Sequence, residues 1–267
     1  MNKISQLMDL SGRRALITGA AGGLGSEFAR SLAELRADLI LVDRPGIYLE
    51  DFKLTLEDIY GVSVSTFGCD LEIREQRAQL ISDVSSDGNE LNILVNNAAF
   101  VGTSSLSGWS VPFAEQSVET WRRALEVNLV AAFDLCQGFS EVLIRSKGAN
   151  IVNIASIYGQ FGPDWGLYEG TQMSNPAAYG ASKAGLIQLT KWLSTTLAPH
   201  VRVNAISPGG VIATQPTNFI ESYTSRTPLG RMANYDDFCG ALIFLASDMS
   251  EYVTGQILNV DGGWGVW

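Results

Sequence analysis

The sequence predicts an α/β chain: a doubly wound parallel sheet of about seven strands with helices on both faces. Two observations carry this expectation. Short, β-branched apolar runs alternate with longer stretches of helical period along the chain, and strands that are apolar throughout belong to a parallel sheet covered on both sides. Two regions break the rhythm, 157–176 and 208–233. Both follow a strand, on the side where such sheets bind ligands.

In order, the patterns predict a strand over 13–18 running into Gly19, a helix over 24–35, a strand over 38–43, a helix over 48–60 and a strand over 62–67. A helix over 72–85 and a strand over 92–97 follow, then one long helix over 117–146 and a strand over 150–156. The last elements are a helix over 177–198, a strand over 202–207, a helix over 234–247 and a strand over 256–260. No repeat or linker divides the chain, so one domain over 1–267 is expected.

Composition narrows the function classes. Hydrophobic residues make up 46% and charged residues 17%, enough apolar side chains for a large core. A formal net charge of -10 argues against nucleic acid or an anionic membrane as partner, since both call for a basic face. Cys69, Cys136 and Cys239 form no C-x-x-C pair and read as buried thiols of a cytoplasmic protein. One histidine, His200, leaves no donor set for zinc, so no metal is expected. A Ser-His-Asp scheme would have to use that residue. The polar first fourteen residues show no signal core, and no apolar run approaches a membrane span. A soluble cytoplasmic enzyme is expected.

Four motifs carry chemistry. "TGAAGGLG", Thr18 to Gly25, lies between the first strand and the first helix. Gly19, Gly23 and Gly25 let the backbone turn tightly and approach a pyrophosphate at a helix N-terminus. Asp43 ends the second strand, where a carboxylate accepts hydrogen bonds from a ribose and repels a 2′-phosphate. That repulsion is about 4 kcal/mol at about 4 Å and an effective dielectric of ~20. Arg44, next in sequence, is the one group placed to offset it. "CDL" (69–71) and "NNAA" (96–99) end the next two strands. They place Asp70 toward an adenine and Asn96, a donor and acceptor, near a cofactor. The fourth motif is "NPAAYGASKAG" (175–185). Tyr179 and Lys183 are four apart and share one helix face. An ammonium about 4–5 Å from a phenol favours the phenolate by up to about 4 kcal/mol, so the lysine is expected to lower the tyrosine pKa.

Together with Asn128, Ser156 and "SPGG" (207–210), these motifs resemble the short-chain dehydrogenase/reductase family, in family order across almost the whole chain. "NNAA" departs from the family's N-N-A-G at Ala99, and the interval from Ser156 to Tyr179 is about ten residues longer than is common there. The resemblance implies a Rossmann-like fold and an NAD(P)-dependent oxidoreductase that moves a hydride between nicotinamide and a secondary alcohol or ketone, with NAD favoured over NADP. It implies Tyr179 as general acid/base, Lys183 on the nicotinamide ribose, Ser156 on the substrate oxygen and Asn128 holding a water. Cofactor contacts are implied from Gly19, Gly23, Leu24, Gly25, Asp43, Arg44, Asp70, Leu71, Asn97, Ala98, Tyr179, Lys183, Pro208, Gly209 and Val211.

A homodimer or homotetramer is implied as well, with Trp121, Phe133 and Leu135 in the core or a subunit interface. The tail "VDGGWGVW" is expected near the active site or a neighbouring subunit. The longer form of 154–179 also resembles dehydrogenases placed with bacterial surface-sugar and flagellin-modification pathways. Two other readings stay open: a catalytically quiet dinucleotide-binding or assembly protein, and an epimerase or dehydratase on the same fold. Between Ser156 and Tyr179 stand Gln160, Asp164, Tyr168, Glu169, Thr171, Gln172, Ser174 and Asn175, with no Lys or Arg. That pattern predicts a neutral, multiply hydroxylated substrate, since an apolar pocket suits acyl or steroid ligands and an arginine fork suits anions.

The charge at Asp43 sets a test. Steady-state kinetics should show NAD(H) preferred over NADP(H), and Asp43→Ala should narrow the gap. A wild-type preference for NADP(H) contradicts the charge reading.

Overall fold

The computed structural model describes residues 3–101 and 106–267. Seven strands form one parallel sheet: β1 (Arg14–Thr18), β2 (Asp38–Asp43), β3 (Val64–Gly68), β4 (Ile93–Asn96), β5 (Asn150–Ile154), β6 (Arg202–Pro208) and β7 (Ile257–Val260). Their order is β3-β2-β1-β4-β5-β6-β7. The direction of winding reverses between β1 and β4, and that is where a crevice opens beyond the carboxyl ends of the strands. Thr18 pairs with Val42 and Asp43 with Gly68, and Asn96 pairs with Asn153. The strand ends that carry the sequence motifs are therefore level.

Ten α-helices are described: α1 (Ile4–Met8), α2 (Gly23–Glu34), α3 (Glu50–Tyr60), α4 (Arg74–Ser86), α5 (Val118–Leu125), α6 (Ala131–Gly138), α7 (Ser140–Arg145), α8 (Ala177–Thr196), α9 (Thr217–Arg226) and α10 (Cys239–Ala246). On one face of the sheet Phe28, Leu32, Leu56 and Leu242 bury against Ile17, Leu39 and Leu41. On the other, Leu80, Val84, Leu135, Phe139 and Leu143 bury against Leu16, Ile40, Leu94 and Ile151. Each such side chain contributes about 1.5–3 kcal/mol. This double cover is why the strands read as apolar on both sides.

Two expectations are corrected. The long helix of 117–146 is interrupted: five residues, Glu126–Val130, form a π turn between α5 and α6, and a further break falls at Phe139. Periodicity alone does not resolve one extra residue in a helical turn. The region 208–233 is not wholly irregular, because it contains α9. Pro216 stands at the N-cap of α9 and Pro228 lies just beyond its end, both positions that proline tolerates. The loop after β5 contains two short 3-10 turns, Ile157–Gly159 and Trp165–Tyr168.

Arg77, buried to 2% exposure, joins several of these pieces. Its Nε donates to Asp134 at 2.6 Å, one terminal nitrogen to Leu71 O at 2.5 Å, and the other pairs with Glu126 at 2.8 Å. One side chain thus ties α4 to the π turn, to α6 and to the segment after β3. Removing a buried partner of this kind leaves uncompensated carboxylates and costs on the order of 3 kcal/mol. Arg77→Met should lower the urea midpoint accordingly, and an unchanged midpoint would show that the tie is dispensable.

Candidate active site

A groove of about 800 Å³ opens beyond β1, β2, β3 and β4. The glycine turn forms its floor. Gly19 has φ +66°, and a Cβ on Gly25 would stand 2.1 Å from Gly19 O. Neither position accepts a larger residue without moving the backbone. The turn leads into the N-terminus of α2, whose unpaired N–H groups favour an anion. Asp43 clamps the turn from the side: its carboxylate accepts from Ala21 N at 2.9 Å and from Arg44 N at 2.8 Å.

Thr18 joins the turn to the end of β4. Its hydroxyl accepts from Asn97 N and Ala98 N at 3.1 and 3.0 Å, and Asn97 Nδ2 donates to Thr18 O and Gly19 O. Gly19, Gly23, Leu24, Gly25, Asp43, Arg44, Asp70, Leu71, Asn97 and Ala98 all line the groove. The glycine cradle, the helix terminus and the facing carboxylate fit a dinucleotide.

Asn96 does not meet this groove. It is buried in the sheet, where its amide donates to Asn153 Oδ1 at 2.8 Å and to Cys136 Sγ at 3.3 Å. Successive strand residues point to opposite faces, so the two asparagines part company. Residues that sequence reasoning missed also line the groove, among them Ile47, Glu72, Phe100, Arg123 and Tyr235. Arg123 pairs with Glu72 at 2.6 Å and lies over the Phe100 ring at 5.2 Å. The Tyr235 ring packs directly on Gly23, where an added Cβ would be 2.3 Å from its Cζ. No local signal joins two residues so far apart in sequence.

Tyr179, Lys183, Pro208, Gly209 and Val211 stand outside the groove lining. Phe100 and Leu106, which line the groove, pack with Tyr179 against the Trp109 cluster. Pro208 closes β6, Gly209 N donates to Val260 O at 2.9 Å, and Val211 bridges to Ala233.

Tyr179 and Lys183 do share one flank of α8, as their spacing requires. Lys183 is 2% exposed. Its Nζ donates to Ile154 O at 2.7 Å and lies 5.9 Å from the centre of the Tyr179 ring. Burial pushes the Lys183 ammonium down to about 8. The Tyr179 phenol is raised above its ordinary value, mainly by burial, with the Ser156 hydrogen bond pulling it part of the way back and the Tyr168 phenol raising it further. Lys183 is not among the groups acting on the Tyr179 phenol, its ammonium being held on Ile154 O. Desolvation outweighs a charge drawn aside to a carbonyl. At neutral pH the phenol keeps its proton.

Ser156 lies just past β5, and its hydroxyl also accepts from Tyr158 N at 3.2 Å. Asn128 sits in the π turn, a feature common at functional sites. Its Oδ1 accepts from Phe100 N at 2.5 Å, and its Nδ2 donates to Ser182 Oγ at 3.0 Å. The side chain holds the groove's inner wall against α8.

The polar segment after β5 is largely bonded within the protein. Gln160 Nε2 donates to Ser207 Oγ and Asn259 Oδ1, both at 2.7 Å. Asp164 pairs with Arg226, and Tyr168 bonds Tyr158 and Asn175. Trp264 of the tail is buried in this cluster, stacked on Tyr223 and under Arg226. The three cysteines are thiols, and no metal-binding cluster or membrane-length apolar helix occurs among the described residues.

A family model described as enoyl-(acyl carrier protein) reductase matches residues 19–265. The chain belongs to the short-chain dehydrogenase/reductase family. It is similar to 3-oxoacyl-[acyl-carrier-protein] reductase FabG of Thermotoga maritima, 31% identical over 96% of this chain and 99% of the relative. Post-translational flagellin modification protein A of Campylobacter coli is 29% identical over 96% of this chain and 100% of that protein. Among solved structures, a gluconate 5-dehydrogenase from Burkholderia cenocepacia in complex with NADP and tartrate superposes with TM-score 0.87 at 28% identity, covering 99% of this chain and 100% of that one. A short-chain dehydrogenase from Leptospira borgpetersenii with bound NAD+ gives 0.82 at 32%, covering 99% and 96%. The chain is an oxidoreductase of this family that uses a nicotinamide dinucleotide.

Gly25→Ala tests the cradle. Its Cβ would meet backbone, so dinucleotide affinity by calorimetry should fall at least about tenfold, a loss of ~1.4 kcal/mol. Unchanged affinity would place the pyrophosphate elsewhere.

Proposed function

We propose that this chain is an NAD-dependent dehydrogenase or reductase acting on a secondary alcohol or ketone of a neutral, hydroxyl-bearing molecule. The observation that carries the reading is the half-buried Tyr179 phenol on one flank of α8 with the buried Lys183, whose Nζ lies 5.9 Å from its ring, packed on the same cluster as the groove residues Phe100 and Leu106. Bound nicotinamide supplies the hydride acceptor in oxidation and the donor in reduction. Tyr179 takes the alcohol proton or gives it to the forming alkoxide, and Ser156 orients the reacting oxygen. Lys183 brings a positive charge and donors to the same place, while Asn128 fixes Phe100 and α8 around them. Asp43 supports NAD, since its charge faces the groove.

The cation pattern supports a neutral substrate. Arg226, at the end of α9, and Arg231, just beyond it, are each paired with a carboxylate, Asp164 and Asp237. A keto-acyl substrate is the second reading. It is favoured by the apolar cluster of Trp109, Ala124 and Ala178, on which Tyr179 packs together with Phe100, Leu106 and Trp121. We place the enzyme in the cytoplasm as a homodimer or homotetramer.

Tyr179→Phe should keep the fold and NAD affinity. Turnover of whichever polyol or ketone proves active should fall by about 10²–10⁴-fold, the usual share of acid–base catalysis. Activity within a few-fold of wild type removes Tyr179 from the mechanism. Efficient turnover of long-chain keto-acyl thioesters with none on polyols or sugars favours the second reading.

A further inference from the structure

A second cavity, of about 570 Å³, lies between the segment 111–116 and the loop after β5. It is separate from the dinucleotide groove. Ala177 and Gly180 of α8 line it, whereas Tyr179 and Lys183 do not. At 100° per residue Gly180 stands about 100° from Tyr179 and about 60° from Lys183, so the cavity meets the helix beside their flank rather than on it. Phe113, Phe161 and Trp165 form its aromatic walls, and none of its lining residues is charged. Phe113 is 83% exposed and Trp165 56%, a degree of aromatic exposure that marks contact surfaces.

The polar floor is incomplete. Asn175 is 8% exposed and lines the cavity. Its Nδ2 donates to Tyr168 Oη at 3.2 Å, while its Oδ1 has no partner among the described residues. Tyr168 and Tyr158 share one hydrogen bond at 2.8 Å, and Tyr158 also lines the cavity. Two phenols have two protons and four lone-pair sites. The bond between them and the Asn175 donation leave one proton and two lone-pair sites without partners among the described residues. An acceptor amide and a phenol pair with donor and acceptor capacity, under aromatic faces and without charge, match a ligand that has hydroxyls at its rim and C–H groups on its faces.

We infer that this cavity is a binding site for a neutral pyranose ring, stacked on Trp165 and hydrogen-bonded to Asn175 and the Tyr158–Tyr168 pair. It shares with the proposed function the premise of a hydroxyl-rich ligand. An aliphatic or aromatic ligand would displace water from Asn175 Oδ1 without supplying a donor in its place, which is unfavourable. A carboxylate would meet no cation.

Saturation-transfer NMR on the full chain tests this, using the methyl α-pyranosides of glucose, galactose and mannose, with phenol as the apolar probe. At least one glycoside should receive saturation on its ring C–H protons. Trp165→Ala should weaken its affinity about tenfold, the order expected for loss of one aromatic face, while NAD affinity stays unchanged. Phe113→Ser, at an exposed position, gives a second variant should the first fail to fold. Transfer to phenol alone, transfer to no probe, or glycoside binding indifferent to both variants overturns the inference. Binding that survives in Tyr179→Phe separates this site from the catalytic reading. The site can then fail while Tyr179 chemistry stands, or stand while that chemistry fails.

Discussion

The burial of one ammonium group organises the centre of this protein. Lys183 reaches the end of β5 with one hydrogen bond among the described residues, to Ile154 O, and water is almost fully excluded from it. A lysine in that position is costly. The cost is visible as a lowered ammonium pKa, and the same dry surroundings raise the Tyr179 phenol. Burial thus favours the neutral form of both groups that family resemblance pairs as base and tuner. A positive charge placed beside the phenol would be strongly felt in so dry a site.

The surrounding architecture keeps this cluster dry and in place. The parallel register levels the strand ends, so the glycine turn, Asp43 and the β4 terminus meet at one rim. The π turn at Asn128 sends an amide both to Phe100 and to Ser182, linking the inner wall of the groove with α8. Arg77 anchors that same π turn from behind through Glu126. On the far side, Trp264 of the tail, Tyr223 of α9 and the loop after β5 pack into one aromatic cluster. Segments distant in sequence meet there as a single packed unit.

Much of this was legible in the chain. Strand–helix alternation specified the sheet, and glycine spacing specified the turn, because both are local consequences of backbone geometry. What was not legible depends on pairs far apart in sequence. Asn96 and Asn97 look equivalent until the strand turns one inward. Tyr235 gives no local sign that it covers Gly23. The polar residues of 157–176 suggested a wet substrate wall, yet Gln160, Asp164 and Tyr168 find partners on β6, β7, α9 and within the loop. The lysine–tyrosine pair shows the same limit: spacing placed both on one face, but could not show that a carbonyl would draw the ammonium aside.

The direct measurement is the titration of Tyr179 itself, followed through its ¹³Cζ NMR resonance and assigned by its loss in Tyr179→Phe. Without ligand the phenol should titrate above the ordinary tyrosine value of about 10. With saturating NAD+ it should fall below that value. A Tyr179 that already titrates below 10 without ligand, or one that NAD+ leaves unmoved, contradicts the account.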